Sequence, residues 1–326
     1  MEKCTIRILG QAGEKWFVQE PAVLEGIQWK TKRRGEAASL TFTCVKDELL
    51  SFQEGSEVTF RYGDKDVFSG YIFEKHRNKD QLIEVTCYDR TRYLRNKENY
   101  LFSNVRADQV LTRIAQDFDL QLGEVENTQY VIPKFSRSNS TLWDTIEEAL
   151  GITKEVTGVM YTMYDDFGKI CLKSVHNMDS KCLIDSDTAE DFDYTTSIDK
   201  NTANYIVVKV KDSNTPIVEK SEGENGTIKK WGLLQYDCES TTVEYAKQKA
   251  KALLKMRNKV TKSLGINGAL GDINVRAGCG IYISLNLGDS KPENKRMVVI
   301  EANHTFENGH HSMDLTLIDG EEFYNE

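Results

Sequence analysis

The stretch Glu57-Val-Thr-Phe-Arg-Tyr62 alternates polar and apolar side chains, with Val58, Phe60 and Tyr62 at every second position. A period of two residues places these three side chains on one face of a β-strand. The same alternation returns further along the chain, at Ile83, Val85 and Cys87. Between these strands, polar runs such as 63–66 are typical of turns. Several short strands at this spacing predict a barrel or sandwich in the first ninety residues.

A helical period follows between residues 105 and 119, where apolar residues recur every three or four positions. A polar joint at 136–140 precedes a second predicted helix, which places Leu142, Ile146, Ala149 and Leu150 on one face and ends near Gly151. Two strands joined by a hairpin turn are predicted over 158–174. The middle of the chain is therefore predicted to mix helices and strands.

Beyond residue 200, a strand is predicted at 206–210, followed by an exposed hairpin that pairs 216–222 with 227–231 across Asn225-Gly226. A helix is predicted over about 240–258, starting in a capping box formed by Thr241 and Glu244. The two-residue period then returns in three more segments, 281–287, 298–306 and 313–317. The last part of the chain is thus predicted to form a second β domain.

These patterns predict an α+β fold that is predominantly β. The expected division is an N-terminal β domain at 1–98, a mixed α/β middle region at 99–200, and a C-terminal β domain at 201–326 that carries the hairpin and the helix. The chain has 326 residues, more than a single domain of roughly 100–200 residues usually has. Two or three packed units are therefore expected.

The composition indicates a soluble globular protein, with 39% hydrophobic and 29% charged residues and a net charge of −9. We find no apolar run that approaches the roughly 20 residues of a membrane span, and no signal peptide precedes the first strand. We therefore expect synthesis in the cytoplasm of a bacterial host and no membrane partner. The seven cysteines are scattered without a Cys-x-x-Cys pair, so reduced, buried thiols are expected.

Specific nucleic-acid binding is not expected, because the acidic chain as a whole repels phosphate. Two basic clusters at 30–34 and 90–95 leave local contacts with DNA open. Solvated loops or protein interfaces are the favoured interpretation, since both clusters are short and lie in an acidic background.

Known catalytic motifs are missing from the sequence. Asp166-Phe167-Gly168 matches a kinase metal-binding tripeptide, but it lies in the predicted hairpin turn, and neither a His-Arg-Asp loop nor a glycine-rich phosphate loop accompanies it. A nucleophile elbow, a Walker loop and a zinc-protease helix are also missing. No catalytic residue, cofactor site or metal site is therefore assigned, and the chain is predicted not to be an enzyme.

Two groups of titratable residues leave alternatives open. An acidic stretch within 185–193 offers carboxylates for calcium, although its spacing lacks the glycine and terminal glutamate of the known calcium loop; a solvated surface is favoured. This stretch consists of Asp185, Asp187, Glu190, Asp191 and Asp193. His304, His310 and His311 suggest a metal or acid/base site, but His304 shares a two-residue period with Phe306, which favours strand positions.

Two other functional classes are kept as alternatives. A cell-wall hydrolase of glycosidase type needs two carboxylates at a defined separation and one of them in an apolar setting, and the sequence singles out no such carboxylate. A small-molecule or carbohydrate-binding module needs a concave pocket lined by aromatic residues. The sequence leaves open whether its candidates, Tyr88, Tyr93, Tyr100 and Phe102, converge on one.

Several segments, in their order along the chain, resemble the XkdQ/YqbQ family of baseplate hub proteins from contractile phage tails, PBSX-like prophages and phage-tail-like bacteriocins. In the first third these are Gln53-Glu-Gly-Ser-Glu-Val-Thr-Phe-Arg-Tyr-Gly63, Phe68-Ser-Gly-Tyr-Ile-Phe73, Val85-Thr-Cys-Tyr-Asp-Arg-Thr-Arg-Tyr-Leu-Arg-Asn-Lys97, Ala107-Asp-Gln-Val-Leu111 and Ile114-Ala-Gln-Asp-Phe118. Further segments are Tyr164-Asp-Asp-Phe-Gly-Lys-Ile170, Ile228-Lys-Lys-Trp-Gly-Leu-Leu-Gln-Tyr236, His304-Thr-Phe306 and His311-Ser-Met-Asp-Leu-Thr-Leu317.

The resemblance implies a structural hub related to the late control gene D proteins, with two barrel-like β domains flanking smaller mixed modules. Three chains would form a ring of six similar barrels that joins the sixfold tail tube to the threefold central spike. The implied partners are two further copies of the chain, the spike protein and the tail tube protein, with the tape measure protein and a LysM-type baseplate protein as additional candidates. The protein would then reside in the virion or tail-like particle.

Interface anchors are expected among aromatic residues and arginines, which dominate the binding energy of many protein interfaces. The sequence candidates are Trp16, Trp29, Arg33, Arg34 and Trp231. For each tryptophan, burial within its own domain is the alternative.

Overall fold

The computed structural model describes residues 2–12, 15–48, 50–199, 201–210, 215–240, 243–288 and 294–319. The strands of the first third are β1 (Cys4–Ala12), β2 (Lys15–Gln19), β3 (Ile27–Lys32), β4 (Ser39–Val45), β5 (Glu57–Tyr62), β6 (Lys65–Arg77) and β7 (Leu82–Tyr88). The middle holds β8 (Lys97–Val105), α1 (Ala107–Asp117), β9 (Leu122–Val125), β10 (Ile132–Thr141), α2 (Leu142–Thr157), β11 (Tyr161–Asp166) and β12 (Lys169–Ser174), with 3-10 helices at Arg90–Arg95 and Val175–Asn177. The remaining elements are β13 (Asp179–Asp185), β14 (Asp191–Ser197), β15 (Tyr205–Val210), β16 (Ile217–Lys220), α3 (Thr227–Trp231), β17 (Gln235–Ser240), α4 (Val243–Arg257), β18 (Thr261–Leu270), β19 (Gly280–Ser284), β20 (Lys295–Glu307) and β21 (His310–Asp319).

The fold is predominantly β, and its main sheet joins the two ends of the chain. Eleven of its thirteen strands follow the order β14-β18-β21-β20-β3-β4-β7-β6-β5-β1-β2, while β19 pairs with β20 and β13 pairs with β19. The N-terminal and C-terminal strands meet where β3 runs antiparallel to β20, and Trp29 lies opposite His304 there. We call this β3–β20 pairing the seam.

The N-terminal core follows directly from the period-two patterns. On β5, Val58 and Phe60 are completely buried, and the two polar residues between and before them are not. Phe306 of β20 packs into the same core, so the C-terminal strand contributes to it across the seam. A separate core under the C-terminal strands contains Leu264, Ile281 and Leu317.

Two smaller cores lie outside the main sheet. In the middle region, α1 and α2 pack their apolar faces against two small sheets, one formed by β8 and β10 and the other by β9, β11 and β12. In the second of these two cores, α4 covers the sheet β16-β15-β17 and buries Ala246, Ala250 and Leu253. The proposed division at residues 98 and 200 stays a prediction, because the hydrophobic cores describe packing and not independent folding units.

The structure confirms most of the predicted elements. The first helix, the hairpin β11–β12 with its turn at Phe167-Gly168, the strand β15, the helix α4 and the closing strands all form where their periodicities placed them. All seven cysteines are free; four are buried and three are partly buried. The capping box at Thr241 lies outside the described residues.

The predicted end of the second helix at Gly151 was wrong. Helix α2 continues through Gly151 to Thr157 and stops at Gly158, whose left-handed backbone (φ 75°) forms the cap. A glycine inside a helix costs stability without ending the helix, whereas a left-handed residue must end it. The polar joint at 136–140 was also wrong, because these residues belong to β10 and pair with β8.

The predicted hairpin at 216–231 was wrong as well. Residues 227–231 form the short helix α3, and β16 pairs antiparallel with β15. Gly226 precedes the helix with an extended backbone (φ −68°), whereas a primed turn at Asn-Gly needs positive φ. A Cβ atom at this glycine would lie 2.5 Å from the carbonyl oxygen of Ser221. Glycine is therefore required here because the backbone at Gly226 packs closely against the backbone at Ser221.

Candidate functional site

A pair of buried histidines lies at the seam. His304 is on β20 and His311 on β21, and their rings approach through His304 Nδ1 and His311 Nε2 at 2.9 Å. The other nitrogen of His304, Nε2, lies 2.9 Å from the carbonyl oxygen of Val275. Because a carbonyl only accepts, Nε2 of His304 donates to Val275 and Nδ1 accepts from His311. Both ring nitrogens of His304 are therefore engaged within the protein.

Burial keeps both histidines neutral. It lowers the pKa of His304 to about 3, with a further contribution from His311, and it lowers the pKa of His311 to about 4. Trp29 stacks on His304 at a centroid distance of 4.8 Å, and Phe306 stacks on His311 at 4.3 Å. These contacts support the structural interpretation of His304 and His311. His310 is exposed and begins β21.

A second buried cluster joins three parts of the chain. Asp89 follows β7 and accepts hydrogen bonds from the backbone and hydroxyl of Thr91. Asp165 of β11 accepts from the backbone of Gly168 at 2.6 Å, while its other carboxylate oxygen is buried without a partner. Arg276, which precedes β19, donates to the backbone oxygen of Asp165 at 2.9 Å. The N-terminal, middle and C-terminal regions therefore meet at Asp89, Asp165 and Arg276, which we call the three-region cluster.

The two carboxyl groups of this cluster hold their protons more tightly than exposed aspartates do. Burial raises the pKa of Asp89, and the neighbouring charge of Asp165 raises it further. Burial also raises the pKa of Asp165. Sequence reasoning missed both groups, because their burial and the charge of Asp165 near Asp89 arise from segments far apart in the sequence, for which local periodicity contains no signal.

The raised pKa values do not make this cluster a hydrolase site. Asp89 is 3% exposed and Asp165 is 6% exposed, and neither lines any of the five described cavities. A glycosidase carboxylate must reach a sugar bond in an open cleft. The arrangement is suited to fixing the relative positions of the three regions.

The aromatic candidates for a binding pocket fall into two separate groups. Tyr88 and Tyr93 both contact Phe73, with centroid distances of 5.4 Å and 6.1 Å. Tyr100 and Phe102 instead stack at 5.2 Å on the small sheet of β8 and β10. The structure therefore does not bring the four residues together in one pocket.

The two basic clusters make contacts within the chain. In the first, Lys30 forms an ion pair with Glu301 at 2.7 Å. In the second, Arg90 donates to the carbonyl oxygen of Gly168 at 2.6 Å, and Arg92 lies over the ring of Phe73 at 5.3 Å. These contacts lie within one chain, so the favoured interpretation of solvated loops or protein interfaces stays a prediction.

The acidic stretch spreads over a turn and an edge strand. Asp185 closes a local turn by accepting from the backbone of Asp187 and Thr188, both at 3.1 Å. Asp191 and Asp193 lie on β14 with exposed side chains. Within the described ranges, no group of three or more histidine, cysteine or acidic side chains is arranged to hold a metal ion.

The predicted interface residues occupy different environments. Trp29 is 3% exposed within the chain's own core, which is the alternative stated for the tryptophans, and Arg33 is 7% exposed. Arg34 is exposed and forms an ion pair with Glu147 at 2.6 Å. Trp231 is partly exposed on α3, and the side chain of Trp16 on β2 lies outside the description. Their role in an interface stays a prediction.

A search for membrane-crossing helices gives a negative result for the described part of the chain, where no helix is both long and apolar enough to span a bilayer.

Comparison with known families identifies the chain. The family model described as YQBQ-like matches residues 27–318, which contain both the seam and the three-region cluster. The chain belongs to the YQBQ-like family. This finding confirms the resemblance predicted from the segments between Gln53 and Leu317.

Individual relatives are similar to this chain over nearly its whole length. The phage-like element PBSX protein XkdQ of Bacillus subtilis is 29% identical over 310 residues, which are 93% of each chain. Among solved structures, a tail protein from Neisseria meningitidis covers 99% of this chain and 98% of its own, with a TM-score of 0.71 and 11% identity. An Escherichia coli component of the type VI secretion system, itself described as similar to the T4 tail proteins gp27 and gp5, covers 98% of this chain and 78% of its own, with a TM-score of 0.57 and 11% identity. The fold of this chain is thus similar to that of a tail protein and to that of a type VI secretion component.

Proposed function

We propose that this chain is a non-enzymatic structural protein of a phage tail or tail-like particle, where it serves as the hub of the baseplate. The observation that carries the proposal is the agreement in fold over 99% of the chain with a tail protein, together with the PBSX relative that is similar over 93% of both chains. Hub proteins position other proteins, and the two buried clusters that join the regions of this chain suit that role.

The hub assembles as a homotrimer in which each chain contributes two barrel-like β regions. Support comes from the main sheet, which has β14 at one end and β2 at the other. Unpaired sheet edges favour association, and contacts between different surfaces of successive copies close into a ring. Six similar β regions in such a ring would match the sixfold tail tube on one side and the threefold spike on the other.

The partners of the ring are the tail tube protein and the central spike protein, with the tape measure protein and a LysM-type baseplate protein as further candidates. The net charge of −9 suits a bore through which DNA passes without binding. The protein would act in the baseplate of the particle, after synthesis in the host cytoplasm.

Mass photometry of the purified chain, alone and mixed with a central spike protein, tests the hub. A trimer, either alone or on the spike, is the expected result. A monomer under both conditions would contradict the ring. Zymography on cell walls tests the alternative function, a cell-wall hydrolase. A clearing band would contradict the structural proposal and support the hydrolase.

A further inference from the structure

A basic cavity of about 460 Å³ opens where four parts of the chain meet. Its wall includes Arg33 and Arg34 after β3, Arg257 at the end of α4, and Ile318 of β21. Six of the described residues that line it are lysines or arginines, and none is acidic. The cavity falls within the range of about 300–1,000 Å³ that is common for ligand sites.

Arg33 carries a buried charge, and hydrogen bonds within the fold do not account for that burial. Its side chain is 7% exposed, and two of its guanidinium nitrogens, Nε and Nη1, are buried without a hydrogen-bond partner in the part of the chain that the structure describes. Burial lowers the pKa of Arg33 to about 10, and the neighbouring Arg34 lowers it further. A buried charge with unpaired donors is costly unless a partner compensates it.

Among the described residues, the one carboxylate that acts on Arg33 is already shared. Glu147 of α2 raises the pKa of Arg33 by its charge, but it lies 2.6 Å from Arg34. This ion pair lacks hydrogen-bond geometry, because the same oxygen of Glu147 has no hydrogen-bond partner. Two guanidinium groups therefore face one imperfectly placed carboxylate, and the cluster lacks negative charge.

The other cations of the wall have ordinary structural roles. Arg257 lies in the last turn of α4, where positive charge offsets the helix dipole, and its guanidinium covers the ring of Tyr236 at 3.8 Å. Lys154, Lys259 and Lys262 each have an interaction partner of their own. These residues strengthen the positive field of the cavity. Arg257 has one buried nitrogen, Nε, without a hydrogen-bond partner among the described residues, whereas Arg33 has two and is the more deeply buried of the two side chains.

We propose that this cavity is an oxyanion-binding site in which a phosphate or carboxylate group accepts hydrogen bonds from Arg33. The site forms within one chain and does not depend on assembly into a ring. Two sources can supply the oxyanion: a free polyanion, or the glutamates Glu321 and Glu322, which follow β21 in the sequence shortly after Ile318.

Pyrophosphate is the probe, applied to the full chain and followed by calorimetric titration and thermal unfolding. We expect binding that weakens with added salt and becomes about tenfold weaker or more in Arg33→Met, since a charge-assisted hydrogen bond is lost. Arg113→Met is the matched control, because this exposed arginine pairs with Asp117 at 3.0 Å and does not line the cavity. Without pyrophosphate, Arg33→Met should unfold at the same or a higher temperature than the parent chain, since it removes an unpaired buried charge.

The double variant Glu321→Gln/Glu322→Gln distinguishes the two sources. Binding to the parent chain indicates a free polyanion. Binding to the double variant alone assigns the oxyanion to the chain's own glutamates. If neither protein binds pyrophosphate, or if Arg33→Met binds it as tightly as the parent chain, the proposal is overturned.

Discussion

At the residue scale, the buried titratable groups act on stability in opposite directions as the pH changes. Burial lowers the pKa values of the two seam histidines, whereas it raises those of the aspartates of the three-region cluster, to about 7 for Asp89 and about 6 for Asp165. Sequence analysis placed His304 on a strand correctly, because period two is a local property. It missed Asp89 and Asp165, because their raised pKa values arise from contacts between distant segments.

The substitution His311→Gln should make the protein less sensitive to acid. The pKa of His311 is about 4 in the folded chain and about 6.5 when unfolded, so the unfolded chain takes up the proton first as the pH falls. The stability contributed by this group is complete above pH 6.5 and lost below it, by about 2 kcal/mol at pH 5. Urea unfolding at pH 7 and pH 5 measures the loss. It should shrink in His311→Gln and persist in the control His310→Gln, whose side chain is exposed.

Asp89→Asn should have the opposite effect. The folded chain raises the pKa of Asp89 above its unfolded value of about 3.9, so the unfolded chain releases the proton first as the pH rises. The contributed stability is complete below about pH 4 and is lost as the pH rises towards the folded pKa. We expect Asp89→Asn to remove this loss, on the order of a few kcal/mol, and to exceed the parent chain in stability at pH 8. Equal urea midpoints for Asp89→Asn and the exposed control Asp64→Asn at pH 8 would refute this expectation.

At the element scale, the sequence predicted strands and helices by their period but not their ends or their partners. Gly151 and Gly158 look alike in the sequence, and only the backbone conformation of Gly158 ends α2. The pairing of β16 with β15 was missed for a related reason. Asn225-Gly226 is a strong local turn signal, and the close approach of the chain at Gly226 overrode it.

The glycine inside α2 and the glycine that caps it give opposite predictions. Gly151→Ala should stabilise the protein by about 0.5–1 kcal/mol, because alanine is the better helix former and no atom lies within 4 Å of the added methyl group. Gly158→Ala should destabilise it by about 1–2 kcal/mol, because a Cβ atom is strained at a φ of 75°. Thermal unfolding of both variants checks the pair. If both substitutions destabilise the protein, the prediction for Gly151 is wrong, and something other than helix propensity disfavours alanine at position 151.

At the scale of the whole molecule, the sequence predicted β-rich ends and a mixed middle. It could not predict that both ends share one sheet, because β3 and β20 are more than 260 residues apart and nothing local selects their pairing. The ends of that sheet, β14 and β2, carry exposed apolar residues, namely Phe192 (39% exposed) and Val18 (62% exposed).

Phe192→Asp should weaken the proposed trimer without unfolding the chain, because it places a charge at a sheet edge that we expect to meet a neighbouring copy. Leu101→Asp is the matched control, since Leu101 is 69% exposed on β8, outside the main sheet. Mass photometry should show more monomer for Phe192→Asp than for Leu101→Asp. Equal trimer fractions would exclude the β14 edge from the interface.

The seam also determines when, during synthesis on the ribosome, the main sheet can be completed. Strand β3 is complete at Lys32, but its partner β20 extends to Glu307. At about 5–20 residues per second, the ribosome needs roughly 14–55 s to make the chain between them. During that interval the N-terminal strands expose the edge that β20 will cover. Chaperones that shield nascent β-edges should therefore determine the yield of this protein more than its final stability does.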